Sequence, residues 1–130
     1  MKINQPVTQK EIEVGKDATI VTKTDLKGII TYVNEEFVDI SGFSADELLG
    51  QSHNIVRHPD MPPQAFEDLW NTVKSGAGWE GIVKNRCKNG DHYWVRAFVT
   101  PIHEEGKIVG YTSVRRRPSR VEIDKAEKIY

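Results

Sequence analysis

Trp79-Glu80-Gly81-Ile82-Val83-Lys84-Asn85-Arg86-Cys87-Lys88-Asn89-Gly90-Asp91-His92-Tyr93-Trp94-Val95-Arg96-Ala97-Phe98-Val99-Thr100-Pro101-Ile102 is a period-two pattern interrupted once. It reads as two strands, about 79–87 and 92–102, joined by a hairpin turn at Lys88-Asn89-Gly90-Asp91. A third strand, about 107–117, follows Glu104-Glu105-Gly106. Asn89-Gly90 fits either a tight two-residue turn or a bulged three-residue loop, and the two choices turn opposite faces inward. Tyr93, Val95, Ala97 and Val99 form a more apolar set than Trp94, Arg96, Phe98 and Thr100, so the bulged register is expected.

Upstream, the period changes. Phe66, Leu69, Trp70 and Val73 recur at helical spacing after Pro62-Pro63, and Gly76 ends the stripe. Ser44-Ala-Asp-Glu47 is a capping box opening a short helix that stops at Gly50, and Asn34 caps another that ends at Gly42. Before these, 17–23 and 29–33 read as strands joined by Thr24-Asp25-Leu26-Lys27-Gly28. The pattern predicts an α+β fold with one five-stranded antiparallel sheet. Several short helices and one longer helix pack on one face, leaving a concave wall suited to a small-molecule pocket.

Residues 1–16 are polar without a convincing period and are expected to form an N-terminal cap or mobile arm; 17–117 is the domain proper. Ser119-Arg-Val-Glu122 is a further capping box, so 118–130 is expected to start a linker helix leading to an output region outside this chain.

With 18 basic and 19 acidic residues among 130, interspersed, the chain lacks the footprint of a nucleic-acid binder. Arg115-Arg116-Arg117-Pro118-Ser119-Arg120 reads as a solvated strand end beside a linker. A single cysteine, Cys87, fits a reducing compartment, and no stretch is long and apolar enough for membrane insertion. A soluble, cytoplasmic module is expected.

Two features do not suit a plain core. On the first long strand, Trp79, Gly81, Val83, Asn85 and Cys87 share the inward face, so an amide sits among apolar neighbours. Left unpaired, it would cost about 1–3 kcal/mol. Gly81 thins the wall beside it, and Trp79 offers a ring for stacking on a planar heteroaromatic ligand. The second feature is Gly50-Gln-Ser-His53-Asn54-Ile-Val-Arg57-His58-Pro59-Asp60-Met61-Pro62. As a solvated loop, Asp60 would cap the next helix and pair with Arg57, which leaves His53, Asn54 and His58 unexplained. These groups suit an anionic or carbonyl-rich ligand, Arg binding phosphate and His donating to a ring carbonyl. A metal at His53, His58, Asp60 and His92 matches no standard spacing. Cys87 has no His and acid arranged around it as a nucleophile would.

The string Thr24-Asp25-x-x-Gly28-x-Ile30 through Asn34, Phe37, Gly42-Phe43, Glu47-Leu48 and Gly50 resembles the first half of a PAS sensor domain. Asn89-Gly90, Tyr93-Trp94-Val95, Pro101-Ile102 and Gly110-Tyr111 resemble the second. More narrowly, His53 to Pro62, Gly81 to Arg86 and Lys88 to Ala97 resemble the PAS domain of Aer-type aerotaxis receptors. That resemblance implies a non-enzymatic redox sensor that binds FAD non-covalently and relays flavin state to a signalling or HAMP-type output region. It is compatible with a homodimer. It also implies that Arg57, His58 and Asp60 hold the flavin, that Asn85 and Trp79 lie in its pocket, and that Asn34, Phe66 and Trp70 complete it; His53, from the polar segment, is expected to bind the cofactor with them. Light-sensing flavin PAS domains carry a reactive cysteine in the segment that here reads His53 to Arg57, so that photochemistry is excluded. The alternatives are a cofactor-free interaction and dimerisation module, or a haem sensor with His53, His58, His92 or His103 as axial ligand.

Overall fold

A computed structural model describes residues 7–130. The strands are β1 (Ile20–Asp25), β2 (Ile30–Val33), β3 (Trp79–Arg86), β4 (His92–Glu104) and β5 (Lys107–Arg116). They form one antiparallel sheet in the order β2-β1-β5-β4-β3. Helices α1 (Glu35–Ser41), α2 (Ala45–Leu48) and α3 (Pro63–Lys74) and a single 3₁₀ turn (His53–Val56) lie between β2 and β3 in the chain, and α4 (Arg120–Ile129) follows β5. The five-stranded antiparallel α+β fold is as expected.

The local signals account for most boundaries. Asn34 Oδ1 accepts from Phe37 N at the start of α1, and Gly42 ends it with a φ of 76°. Ser44 and Glu47 form a reciprocal capping box on α2, and Ser119 and Glu122 do so on α4. Between β3 and β4, Cys87 N donates to the Asp91 carbonyl and Gly90 takes a φ of 98°. This is the bulged three-residue loop, and it sets Val83 opposite Val95 and Asn85 opposite Tyr93. Tyr93, Val95, Ala97 and Val99 therefore face the core with Ile20, Ile30, Phe37, Leu48 and Val56. The first strand begins later than expected, at Ile20, because Ala18 N turns back to the Gly15 carbonyl.

Both ends of the described chain pack against the sheet. Residues 1–6 of the expected cap or arm lie outside the described residues. The segment from Thr8 to Ile12 is laid along the β3–β4 hairpin by backbone bonds to Gly90 and His92, and Val14 is buried. Helix α4 forms behind the expected capping box. It returns across the opposite sheet face, packing Ile123 and Ala126 against Trp94 and Ile82. Tyr130 stacks on Trp94 and donates to the Ile82 carbonyl at 2.7 Å. Arg120 and Arg117 join it to the N-terminal segment through Glu11 and Glu13.

Candidate functional site

The inner sheet face and α3 enclose a cleft of about 700 Å³, its open mouth included. Its floor is apolar at Val83, Ala97 and Val99 on β3 and β4, while Phe66, Leu69 and Trp70 of α3 form the opposing wall. The Trp70 indole meets Tyr111 edge-on at 5.4 Å and lies close over Gly28, where a Cβ would come within 3.3 Å of the ring. The polar lining residues are Thr22, Thr24, His53, Asn54, Arg57, Asn85, Ser113 and Arg115. A largely apolar cleft with a few such polar groups suits a planar heteroaromatic ligand.

The segment after α2 is fastened to the sheet by backbone contacts. His53 N donates to the Gly28 carbonyl, and Arg57 forms an isolated antiparallel bridge with Asn85 on the edge strand β3. These contacts bring the loop's side chains over the sheet. The Arg57 guanidinium stacks on Phe66 at 4.2 Å from the ring centre, an arrangement a flat, weakly hydrated cation favours. Asn85 is 4% exposed and borders the cleft.

His53 and β5 are linked through Thr22. Arg115 Nη2 donates to Thr22 Oγ1 at 2.8 Å, and the same hydroxyl shares a hydrogen bond with His53 Nε2, 3.0 Å away. Burial, reinforced by Arg115, pushes the His53 pKa down to about 3, so the ring is neutral at ordinary pH.

Arg115 is 2% exposed, its guanidinium 4.7 Å above the centre of the Phe37 ring. This corrects the reading of Arg115 as part of a solvated basic end. Arg116 and Arg117 are exposed, whereas Arg115 shares the inward phase of β5 with Tyr111 and Ser113. The alternation on β5 was the available signal, hidden by three arginines in a row.

Of the residues expected at the site, His53, Arg57, Phe66, Trp70 and Asn85 line the cleft; Asn34, His58, Asp60 and Trp79 do not. Asn34 ties the start of β1 to α1, accepting from Val21 N and donating to the Thr19 carbonyl. The Trp79 ring lies over Gly81, filling the thin place in the wall itself. Its Nε1 donates to Asp68 on α3 at 2.9 Å. His58 is turned away, edge-on to His92, and its Nδ1 accepts from Asp60 N. Burial first, then Lys84, pushes its pKa down to about 4. The Asp60 side chain is 64% exposed and pairs with Lys84 at 2.9 Å. It does not cap α3, whose N-cap is Pro62. Thr22, Thr24, Asn54, Ser113 and Arg115 complete the lining beyond the expected set. Cys87 Sγ donates to the Ile40 carbonyl, and burial raises its pKa to about 11, so this thiol is not an activated nucleophile.

The PAS-fold family model matches residues 30–115. The chain belongs to the PAS family. This PAS domain is 53% identical to the aerotaxis receptor of Escherichia coli over 124 residues, which is 95% of the chain but 24% of that receptor. It is 26% identical to the nitrogen fixation regulatory protein of Klebsiella pneumoniae, over 79% of the chain and 21% of that protein. The chain therefore spans about a quarter or less of these two relatives. Among solved structures, the dark state of the blue-light photoreceptor Aureochrome1 LOV superposes with a TM-score of 0.73 at 23% identity, covering 85% of this chain and 86% of that one. A LOV domain studied with a flavin analogue superposes with a TM-score of 0.76 at 22% identity, covering 85% and 84%. The kinship is with sensory PAS domains of signal transducers. Among the described residues, no helix is long and apolar enough to cross a membrane.

Proposed function

We propose that this PAS domain is a redox and oxygen sensor that holds a flavin, FAD, non-covalently in the cleft and relays its oxidation state to an output region on the cytoplasmic side. The observation that carries the reading is a largely apolar cleft whose lining includes a buried amide, Asn85, and two cations, Arg57 and Arg115. Both the amide and the buried Arg115 Nε, which has no partner, match the carbonyl and nitrogen edge of an isoalloxazine. The likeness to an aerotaxis receptor and to a LOV domain studied with a flavin analogue supports the same ligand class.

When bound, a flavin supplies reversible uptake of electrons coupled to protonation of its ring. This chain's part is to hold and read it. Trp70, Leu69 and Val83 would pack on the ring system and exclude water, Asn85 would bond its polar edge, and Arg57 would take the phosphates. His58 and Asp60 act indirectly. The His58 acceptor for Asp60 N and the Asp60–Lys84 pair hold the turn that follows Arg57.

Altered contacts at Asn85 and His53 would bias two packings of the domain, with β5 and α4 as the exit toward a HAMP-type signalling region. The haem alternative has less support. His53 is the cleft-lining histidine among the described residues, and its Nε2 is engaged by Thr22. Arg57→Ala tests the site: the purified variant is expected to lose most of its flavin while staying folded by circular dichroism. Full flavin occupancy would contradict the assignment.

A further inference from the structure

Arg115 poses a problem that its protein neighbours do not solve. Its guanidinium is closed off from solvent, its Nε has no hydrogen-bond partner, and its Nη2 reaches only a neutral hydroxyl, Thr22. The groups facing it are the Phe37 ring, the neutral His53 and the Tyr93 phenol. Among the described residues, no carboxylate lies within ion-pair distance of it. A guanidinium remains protonated even when burial lowers its pKa, so the positive charge persists inside the domain. A buried charge without a counter-charge is among the costliest arrangements a fold can keep. It also lines the cleft.

We propose that Arg115 is the counter-cation of the cleft, completed by negative charge on the ligand, and that it makes the site bind the anionic reduced flavin more tightly than the neutral oxidised one. This rests on the flavin reading above and adds a direction to it. Two electrons and one proton convert the neutral oxidised ring into a form protonated at N5 with a negative charge centred on N1; dithionite supplies the electrons in the experiment. Thr22 bonds the guanidinium on β5, the strand followed by α4, so the charge that appears on reduction would be felt on that strand.

The test compares the wild-type chain with Arg115→Met and Arg115→Lys. Three readouts are followed: flavin midpoint potential, dissociation constant of the oxidised flavin, and thermal unfolding of the flavin-free protein. The proposal expects Arg115→Met to weaken the reduced form relative to the oxidised form at least tenfold, about 30 mV lower for a two-electron couple. Arg115→Lys, which keeps the charge, should recover most of that shift. Flavin-free Arg115→Met should unfold at the same or a higher temperature, because an uncompensated charge has been removed. An unchanged potential in Arg115→Met that still binds flavin would overturn the proposal and leave the flavin site standing. Failure of Arg115→Met to fold would also overturn it, by showing that the residue serves the fold. If wild-type protein takes up no flavin, the parent reading fails, and the proposal with it.

Discussion

Thr22 on β1 and His53 in the 3₁₀ turn share a 3.0 Å hydrogen bond across the inner face of the domain. The bond connects the segment between α2 and α3 to the sheet and orients the imidazole beside the cleft. Replacing Thr22 with Val keeps the shape but leaves both His53 Nε2 and Arg115 Nη2 without that partner. The expected loss is about 1–3 kcal/mol of stability. Urea unfolding at neutral pH measures it, and wild-type stability in Thr22→Val would show that the bond is not formed in solution.

Acid should weaken the domain through the same residue. The ordinary His pKa of 6.5 is lowered in the fold to about 3, so the unfolded chain takes up a proton that the folded chain refuses. Stability from this group is therefore complete above pH 6.5 and is lost as pH falls from there toward 3. His58, lowered to about 4, adds a loss in the same direction that ends sooner. His53→Gln should flatten the stability profile between those limits, by an amount on the order of several kcal/mol at the acid end. Denaturant midpoints from pH 7 down to pH 4 check it; an unchanged slope would mean that His53 is accessible to protons in the folded state.

Gly81 and Trp79 make a tight contact on β3. A Cβ at Gly81 would stand 2.5 Å from the Trp79 ring, which is fastened by its bond to Asp68. Gly81→Ala should therefore cost about 1–3 kcal/mol by overpacking. Combining it with Trp79→Phe should recover part of that loss, because the smaller ring lacks the bond that holds the indole in place. Additive effects in the double-mutant cycle would contradict the contact.

The five strands, the capping boxes at Ser44 and Ser119, the Asn34 cap and the register of β3 against β4 were all legible, because each depends on residues close in sequence. His53, Arg57, Phe66, Trp70 and Asn85 were legible as cleft residues because polarity in an apolar phase, or helical spacing, points inward. The misplaced residues share a cause: adjacency in sequence does not decide which side of a loop or strand a group takes. His58 follows Arg57 directly yet turns to His92. Trp79 has the inward phase, yet its ring is consumed by the empty space over Gly81. Arg115 was hidden by its neighbours Arg116 and Arg117, which do face solvent. The return of α4 across the outer sheet face depends on Trp94 and Ile82, residues remote from it in the chain.

Trp94 therefore decides whether α4 stays docked. A helix as short as α4 is marginal without tertiary contacts. Trp94→Ala should speed amide exchange across Arg120–Ile129 while leaving β1 and β5 protected. Unchanged protection of α4 would mean that the Arg117 and Arg120 ion pairs alone hold it, contrary to the small contribution expected of exposed pairs.

The most direct test of the central claim is the visible absorption spectrum of the purified protein, taken before and after dithionite. The account predicts the paired near-ultraviolet and blue bands of an oxidised flavin, bleached on reduction, with FAD released by acid. A protein that stays colourless after incubation with FAD, or that shows a Soret band, would contradict it.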